Sequence, residues 1–204
     1  MNLFMFAVFL AATSPAAGGN FDALVQLEAL KVREEDTLPY NRGRDFGGWS
    51  ASRGYLNCLD VRGQVLVDES LWPIMTSLPV GARCHVTKGM WIDPYSGVQI
   101  FEPSMMDVDH VVPLKEAWQS GAWQWAKSAR RAYANDLTDS NHLFAVSARV
   151  NRAKGDRDPA EWLPPNALFR CRYIEIWIAI KFRWGLAVDP TELRMLRLSL
   201  QNCN

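Results

Sequence analysis

The stretch Met106-Asp-Val-Asp-His-Val-Val-Pro-Leu114 decides how the rest of the chain is understood. Its valines favour a strand, and Pro113, which cannot donate to a sheet ladder, ends that strand. A second apolar segment, residues 142–146, predicts a further strand, and residues 148–154 predict a short helix that Gly155 ends. We therefore expect two strands, separated by an insertion and followed by a helix.

Side chains suited to metal-assisted hydrolysis lie within this strand-strand-helix unit. Asp109 offers a hard carboxylate ligand, and its neighbour His110 has an imidazole that titrates near neutral pH and suits a general base. Asn151 adds an amide oxygen, and Lys154, on the same helical face, adds a cation that can hold a phosphate. Phosphodiester hydrolysis needs these three parts: a base for water, a divalent cation and a phosphate contact.

The pleat of a strand restricts how these groups can meet, because successive side chains point to opposite faces. Asp109 and His110 can therefore share a site only at a strand end or at a bulge. Asp107, two residues before Asp109, is expected to point the same way as Asp109. It is either a second carboxylate behind the ligand or the metal ligand itself.

Length and composition indicate a folding sequence that forms one domain. The chain has 204 residues, of which 49% are hydrophobic, and it contains nine tryptophans, which is enough to bury a sizeable core. Its formal net charge is zero, so the total charge gives no sign of a strongly basic binding surface. Residues 110–185, however, carry 12 Lys and Arg against 7 Asp and Glu, whereas the remainder carries 10 against 15. The basic region is the one that holds the motif.

The N-terminus predicts export. Residues 3–12 form an uncharged apolar run, about half the ~20 residues that a membrane-spanning helix requires, and small residues follow it. We interpret residues 1–17 as a signal peptide that is cleaved near Ala16 or Ala17, with a secreted or periplasmic domain at residues 20–204. A buried N-terminal helix is the alternative.

The four cysteines agree with an exported protein, because an even number in such a chain usually forms disulfides. Local loop sizes favour pairing Cys58 with Cys84 and Cys171 with Cys203, although sequence alone leaves three pairings open. A zinc site is the rival interpretation, and it lacks the closely spaced ligand pairs that such sites use.

The remaining patterns predict a helix-rich α+β fold. Apolar spacing predicts helices at residues 21–32, 60–70, 114–120, 123–135 and 168–184. The turn Asp93-Pro-Tyr-Ser-Gly97 predicts a hairpin with strands at residues 84–86 and 98–101. Two capping sequences, Asp158-Pro-Ala-Glu161 and Asp189-Pro-Thr-Glu192, predict helix starts.

The motif as a whole resembles the HNH endonucleases, which have a ββα-metal fold. The resemblance rests on Asp109-His110 followed by Val-Val-Pro, then His142, then Asn151 nine residues later and Lys154. It extends to secreted bacterial HNH proteins related to the C-terminal domain of GmrSD-type restriction enzymes. Segments that match their pattern include Cys58-Leu-Asp-Val-Arg62, Gly89-Met-Trp-Ile-Asp-Pro-Tyr95, Tyr133-Ala-Asn-Asp-Leu137 and Asn151-Arg-Ala-Lys-Gly-Asp156.

This resemblance implies a metal-dependent endonuclease with a ββα-metal core at about residues 105–156. By that comparison His110 is the general base, Asp109 and Asn151 are metal ligands, and Lys154 contacts phosphate. The implied ion is Mg²⁺, with Mn²⁺ as the alternative, because both are held by carboxylate and amide oxygens. The implied substrate is nucleic acid, DNA before RNA, and we expect a monomer.

One position departs from the family pattern. The middle residue of the motif, commonly Asn, is His142 here and is preceded by Asn141. His142 either braces the loop through a ring N–H or joins the metal shell. Two other functions remain open for the chain: a non-catalytic exported module that binds nucleic acid or protein, and an antibacterial nuclease effector.

Overall fold

The structure, a computed structural model, describes residues 16–52, 54, 56–77 and 83–203. Most of the predicted export signal, residues 1–15, lies outside these residues. The helices are α1 (Ala16–Glu28), α2 (Arg42–Asp45), α3 (Val61–Asp68), α4 (Leu114–Gln119), α5 (Lys127–Ala134), α6 (Ala148–Lys154), α7 (Ala167–Trp184) and α8 (Pro190–Gln201). The strands are β1 (Met75–Thr76), β2 (Val86–Lys88), β3 (Trp91–Ile92), β4 (Gln99–Ile100), β5 (Met106–His110) and β6 (Leu143–Ser147). The chain is an α+β domain, as predicted.

The predicted strand-strand-helix unit is confirmed as β5, β6 and α6. The two strands pair antiparallel, with Met106 opposite Ser147 and His110 opposite Leu143. Ser147 caps α6 by accepting a hydrogen bond from the backbone N–H of Val150. Gly155 ends the helix with a φ of 63°, a conformation that favours glycine.

The alternation along β5 gives the strand an apolar face and a face with carboxylates. Met106 and Val108 point into the smaller core, together with the Cys84 end of a disulfide. Asp107 and Asp109 point the other way and meet side chains of α6. One strand therefore completes a core with one face and supplies carboxylates with the other.

The larger core is built on the C-terminal helices. Helix α7 buries Tyr173 and Trp177 against α1 and α8, which confirms the prediction of a helix for this segment. Asp189 and Glu192 form the predicted capping box at the start of α8. Lys181 lies fully buried in this core, where its ammonium donates to Glu116 and Glu192 at 2.6 Å each.

The predicted hairpin has the right turn but the wrong first strand. The backbone N–H of Gly97 donates to the carbonyl of Asp93 at 2.7 Å, which closes the turn. The strands that flank it are β3 and β4, whereas β2, which overlaps the predicted strand at residues 84–86, pairs with β1. A tight turn pairs the residues directly beside it, so β3, which immediately precedes the turn, is the partner of β4.

The predicted helix start at Asp158 is wrong. The Asp158 carboxylate accepts hydrogen bonds from the backbone N–H groups of Ala160 and Glu161, as a cap would. A turn forms there instead of a helix. Pro164 and Pro165 follow closely, and the residue before a proline disfavours the helical conformation, so the turn is not extended.

Both predicted disulfides are present. Cys58 bonds to Cys84, and Cys171 bonds to Cys203, which joins the N-terminal part of α7 to the segment just after α8. Among the helices of the described residues, none combines the length and the apolar content needed to cross a membrane.

Candidate active site

A pocket of about 310 Å³ opens at the C-terminal end of β5. It brings together three of the predicted site residues, Asp109, His110 and Asn151. Asp109 and His110 both reach it because His110 is the last residue of the strand. The pocket is completed by the polar side chains of Tyr40, Arg42, Lys115, Arg152 and Asp156.

The His110 ring is buried and oriented by a backbone carbonyl. Its Nε2 lies 2.9 Å from the carbonyl oxygen of Ala134, at the end of α5. A carbonyl only accepts, so Nε2 carries the proton and Nδ1 keeps a lone pair. Burial holds the pKa of His110 well below its usual range, and the neighbouring His142 lowers the pKa further. The ring is therefore neutral near neutral pH, and its unprotonated nitrogen is Nδ1.

An aromatic contact fixes the plane of the same ring. Trp49 stacks on His110 with parallel planes, 1° apart, and a centroid separation of 5.2 Å. The hydrogen bond to Ala134 fixes one edge of the imidazole, and Trp49 covers a face. An imidazole held in this way keeps its orientation without help from a bound ligand.

His142 is hydrogen-bonded next to the site and lies outside the pocket lining. The residue is fully buried, and its Nε2 donates to the carbonyl of Tyr133 at 2.8 Å. Two consecutive carbonyls thus accept hydrogen bonds from the two histidines: Tyr133 accepts from His142, and Ala134 accepts from His110. In addition, the His142 carbonyl accepts from the backbone N–H of Val111. This geometry matches the bracing role that we considered for His142, and the ring does not reach Asp109 or Asn151 in the pocket.

Lys154 lies where we did not expect it. A phosphate contact should be open to the pocket, but Lys154 is fully buried, and its ammonium donates to Asp109 Oδ2 at 2.6 Å and to the His110 carbonyl at 2.8 Å. Burying an ammonium costs much less free energy when a carboxylate lies this close than when the charge is unpaired. Its role in this structure is to hold Asp109 and the end of β5.

Asp109 is anchored through one of its two oxygens. Oδ2 accepts from both Lys154 and the hydroxyl of Tyr95, the latter at 2.7 Å. Burial raises the pKa of Asp109, and the charge of Lys154 opposes that rise. Since Oδ2 takes both hydrogen bonds, Oδ1 is the oxygen that remains for a ligand in the pocket.

Asn151 is oriented by Asp107. The Nδ2 group of Asn151 donates to Asp107 Oδ2 at 3.2 Å, which leaves the amide oxygen as the free ligand atom. Asp107 itself does not line the pocket. Of the two roles left open for Asp107, its position fits the carboxylate behind the ligand.

These donors fit a hard divalent cation. The pocket offers a carboxylate oxygen from Asp109 and an amide oxygen from Asn151, and Mg²⁺ is often held by one or two protein oxygens together with water and phosphate. In the described ranges, a cluster of three acidic residues that could share an ion occurs elsewhere, at Glu35, Asp158 and Asp189. None of these three lines the pocket of His110.

Two residues of the site were not predicted from sequence. Arg42 lines the pocket, and its guanidinium lies 5.5 Å from the ring centre of Trp49. Both residues fall between the predicted helices at residues 21–32 and 60–70, where the sequence predicted no element. The available signal was the mixture of basic and aromatic residues between Arg42 and Trp49, a composition common at nucleic-acid sites.

Comparison with known proteins gives a matched segment that contains Asp109, His110 and Asn151. The sequence model of the family described as "GmrSD restriction endonucleases, C-terminal domain" matches residues 82–197, more than half of the chain. A protein of Arthroderma benhamiae described as an "Uncharacterized secreted protein" is 41% identical over 128 residues. This alignment covers 63% of the present chain and 62% of that protein, so it spans less than two thirds of the relative. No solved structure matches the chain.

Proposed function

This chain belongs to the family of GmrSD restriction endonuclease C-terminal domains, and we propose that it is an exported, metal-dependent endonuclease with His110 as general base. Family membership supports a nuclease-related function on nucleic acid. The proposal adds the reaction, the hydrolysis of phosphodiester bonds with DNA as the expected substrate, and the residues that perform it.

The orientation of His110 carries the proposal. Because Nε2 donates to the Ala134 carbonyl, Nδ1 is free to take a proton from a water molecule. Burial keeps the ring neutral, and a base must be unprotonated before it can act. A neutral, oriented imidazole beside a carboxylate and an amide oxygen is the arrangement that water activation requires.

The other residues hold the reacting groups. Asp109 and Asn151 would bind a divalent cation, which when bound stabilises negative charge on the phosphate and on the leaving oxygen. Asp107 orients Asn151, whereas Lys154 and Tyr95 hold Asp109. Lys154 is thus proposed as a positioning residue in place of the phosphate contact expected from the sequence.

Location agrees with this activity. Two disulfides cross-link the chain, and the relative from Arthroderma benhamiae is described as secreted. Disulfides persist in oxidising compartments, so the protein works outside the cytoplasm. The expected substrate there is extracellular nucleic acid, and we expect the protein to act as a monomer.

The test is cleavage of plasmid DNA and of RNA by the oxidised protein, with Mg²⁺, with Mn²⁺ and with EDTA. We expect metal-dependent cutting of DNA. Asp109→Ala and Asn151→Ala should each lose cutting together with metal affinity measured by calorimetry, and excess Mg²⁺ should partly restore the milder variant. Binding of nucleic acid without cleavage under every metal condition would instead support a non-catalytic module.

A further inference from the structure

The pocket of His110 contains one cation without a carboxylate partner among the described residues. Lys115 pairs with Asp156 across the pocket rim. Arg152 lies 4.0 Å from Asp107, and Lys154 is buried against Asp109 behind the pocket. Arg42 has no such partner.

The guanidinium of Arg42 is held by an aromatic ring. It lies over Trp49, and no described residue accepts a hydrogen bond from it. A cation–π contact uses none of the five N–H donors of a guanidinium, so these remain available to an anion. Arg42 is exposed, which leaves its donors open to a molecule that enters the pocket.

Local structure fixes where Arg42 stands. It is the first residue of α2, which Asn41 caps by accepting from the backbone N–H of Arg44. Asp45, at the other end of α2, accepts at its carbonyl from Arg130 of α5, at 2.9 Å. Helix α5 is also the element whose last carbonyl orients His110, so Arg42 and the base are held by one scaffold.

We propose that Arg42 binds a backbone phosphate of the nucleic acid strand that occupies this pocket. The inference rests on the proposed function, because it takes the pocket to be a nucleic-acid site. A planar guanidinium can donate two parallel hydrogen bonds to two phosphate oxygens, and the ring of Trp49 holds the guanidinium in place before the strand binds. Arg42 thereby fills the role that the buried Lys154 cannot perform. Arg42 and Trp49 both precede the matched family segment at residues 82–197, so this contact is a feature of the N-terminal part of the chain.

The test is binding of a fluorescent 20-base DNA, as duplex and as single strand, by the oxidised protein in EDTA over a range of NaCl concentrations. Each neutralised phosphate contributes about 0.9 to the slope of log binding constant against log salt for duplex DNA, and about 0.7 for single strands. Arg42→Gln should lower affinity by about 10-fold and reduce the slope by about one such contact. Arg42→Lys should keep the slope and recover part of the affinity.

Arg194→Gln is the matched control. Arg194 is an exposed arginine on α8 that donates to Thr191 one helical turn away, and it does not line the pocket. Its removal subtracts the same charge from the protein, and we expect the salt slope to be unchanged.

The outcomes separate this inference from the proposed function. A parent protein that binds DNA but never cleaves it, with a reduced slope for Arg42→Gln, would reject the endonuclease and keep the phosphate contact. A parent that cleaves, with an unchanged slope for Arg42→Gln, would reject the contact alone. An equal loss of turnover in Arg42→Gln and Arg42→Lys without a change in slope would also reject it, because Arg42 would then only support Trp49. A parent that binds neither the duplex nor the single strand would overturn both the endonuclease and the phosphate contact.

Discussion

Removing the ammonium of Lys154 is the perturbation that best separates our structural assignment from the one expected from the sequence. The Lys154→Met variant keeps most of the side-chain volume but leaves the Asp109 carboxylate buried beside Tyr95 alone. A phosphate contact would be exposed, and its loss would barely change stability. A buried partner of Asp109 should matter far more.

The magnitude follows from burial. The side chains of Lys154 and Asp109 are 0% and 7% exposed, and their charged atoms are 2.6 Å apart. Breaking a buried ion pair by removing one partner typically costs about 3 to 5 kcal/mol, because the other charge is left uncompensated. For a domain of this size each kcal/mol lowers the melting temperature by about 2 to 4 °C, so we expect a decrease of about 6 to 20 °C.

The stability deficit of Lys154→Met should depend on pH. Burial raises the pKa of Asp109 in the folded protein, and loss of the ammonium of Lys154 removes the interaction that opposes this rise. A carboxyl with a raised folded pKa stabilises the fold at low pH and loses that contribution as pH rises through the folded pKa. The stability deficit of Lys154→Met should therefore shrink as pH falls toward the ordinary Asp pKa of about 3.9.

The assay is thermal and urea unfolding followed by circular dichroism, with Lys115→Met as the matched control. Lys115 pairs with Asp156, but both side chains are about half exposed, at 47% and 45%. Such surface pairs contribute about 0 to 1 kcal/mol. Lys154→Met combined with Asp109→Asn should recover part of the loss, because it removes the stranded charge. If Lys154→Met and Lys115→Met were equally stable, Lys154 would be exposed in solution and our assignment would be wrong.

Three further outcomes are expected. Burial raises the pKa of Glu69 to about 7, so the stabilisation from its neutral carboxyl is complete below about pH 4.5 and is lost as pH rises through 7. Between pH 5 and 8, Glu69→Gln should therefore gain about 2 to 3 kcal/mol in free energy of unfolding relative to the parent. Parallel plots of unfolding free energy against pH for the two proteins would refute this. His142→Phe should lower single-turnover cleavage while metal affinity measured by calorimetry stays within twofold, because the ring donates to the Tyr133 carbonyl without reaching the metal ligands. Loss of metal binding in calorimetry would place His142 in the metal shell. Peptide mapping without reductant should recover Cys58 with Cys84 and Cys171 with Cys203, and four free thiols would contradict both the pairing and the location.

Local signals predicted the strand-strand-helix unit well. Valine-rich segments, a serine cap and a terminal glycine all concern residues close in sequence, and β5, β6 and α6 formed where these signals placed them. The restriction that Asp109 and His110 can share a site only at a strand end also held, since His110 ends β5. The same kind of local signal identified the capping box at Asp189.

Long-range burial is what the sequence could not reveal. Lys154 and Lys181 are both expected on the surface from their residue type, yet each is fully buried. Lys154 finds Asp109, 45 residues away, and Lys181 finds Glu116, 65 residues away. A one-dimensional pattern shows which face of a helix a lysine occupies, but the partner that makes burial favourable is set by the tertiary fold. The expectation that Lys154 contacts phosphate could not take this burial into account.

The contacts that hold His110 could not be predicted from the sequence for a related reason. The carbonyls of Tyr133 and Ala134 have no side-chain signature, because every residue carries a carbonyl. Trp49 and Arg42 lie in a segment without periodicity, and only the stacking of Trp49 on His110 and the position of Arg42 in the pocket lining give them a place in the site.

The measurement that tests the central claim most directly is single-turnover plasmid cleavage by His110→Ala beside calorimetric metal binding. General-base catalysis typically contributes about 10² to 10⁴-fold in rate, so we expect a loss of that size with metal and DNA affinity unchanged, and added imidazole should restore part of the turnover. His85→Ala, which removes an exposed histidine outside the pocket lining, should cleave at the parental rate. A His110→Ala protein that cuts as fast as the parent, or that fails only because it no longer binds metal, would show that His110 is not the base.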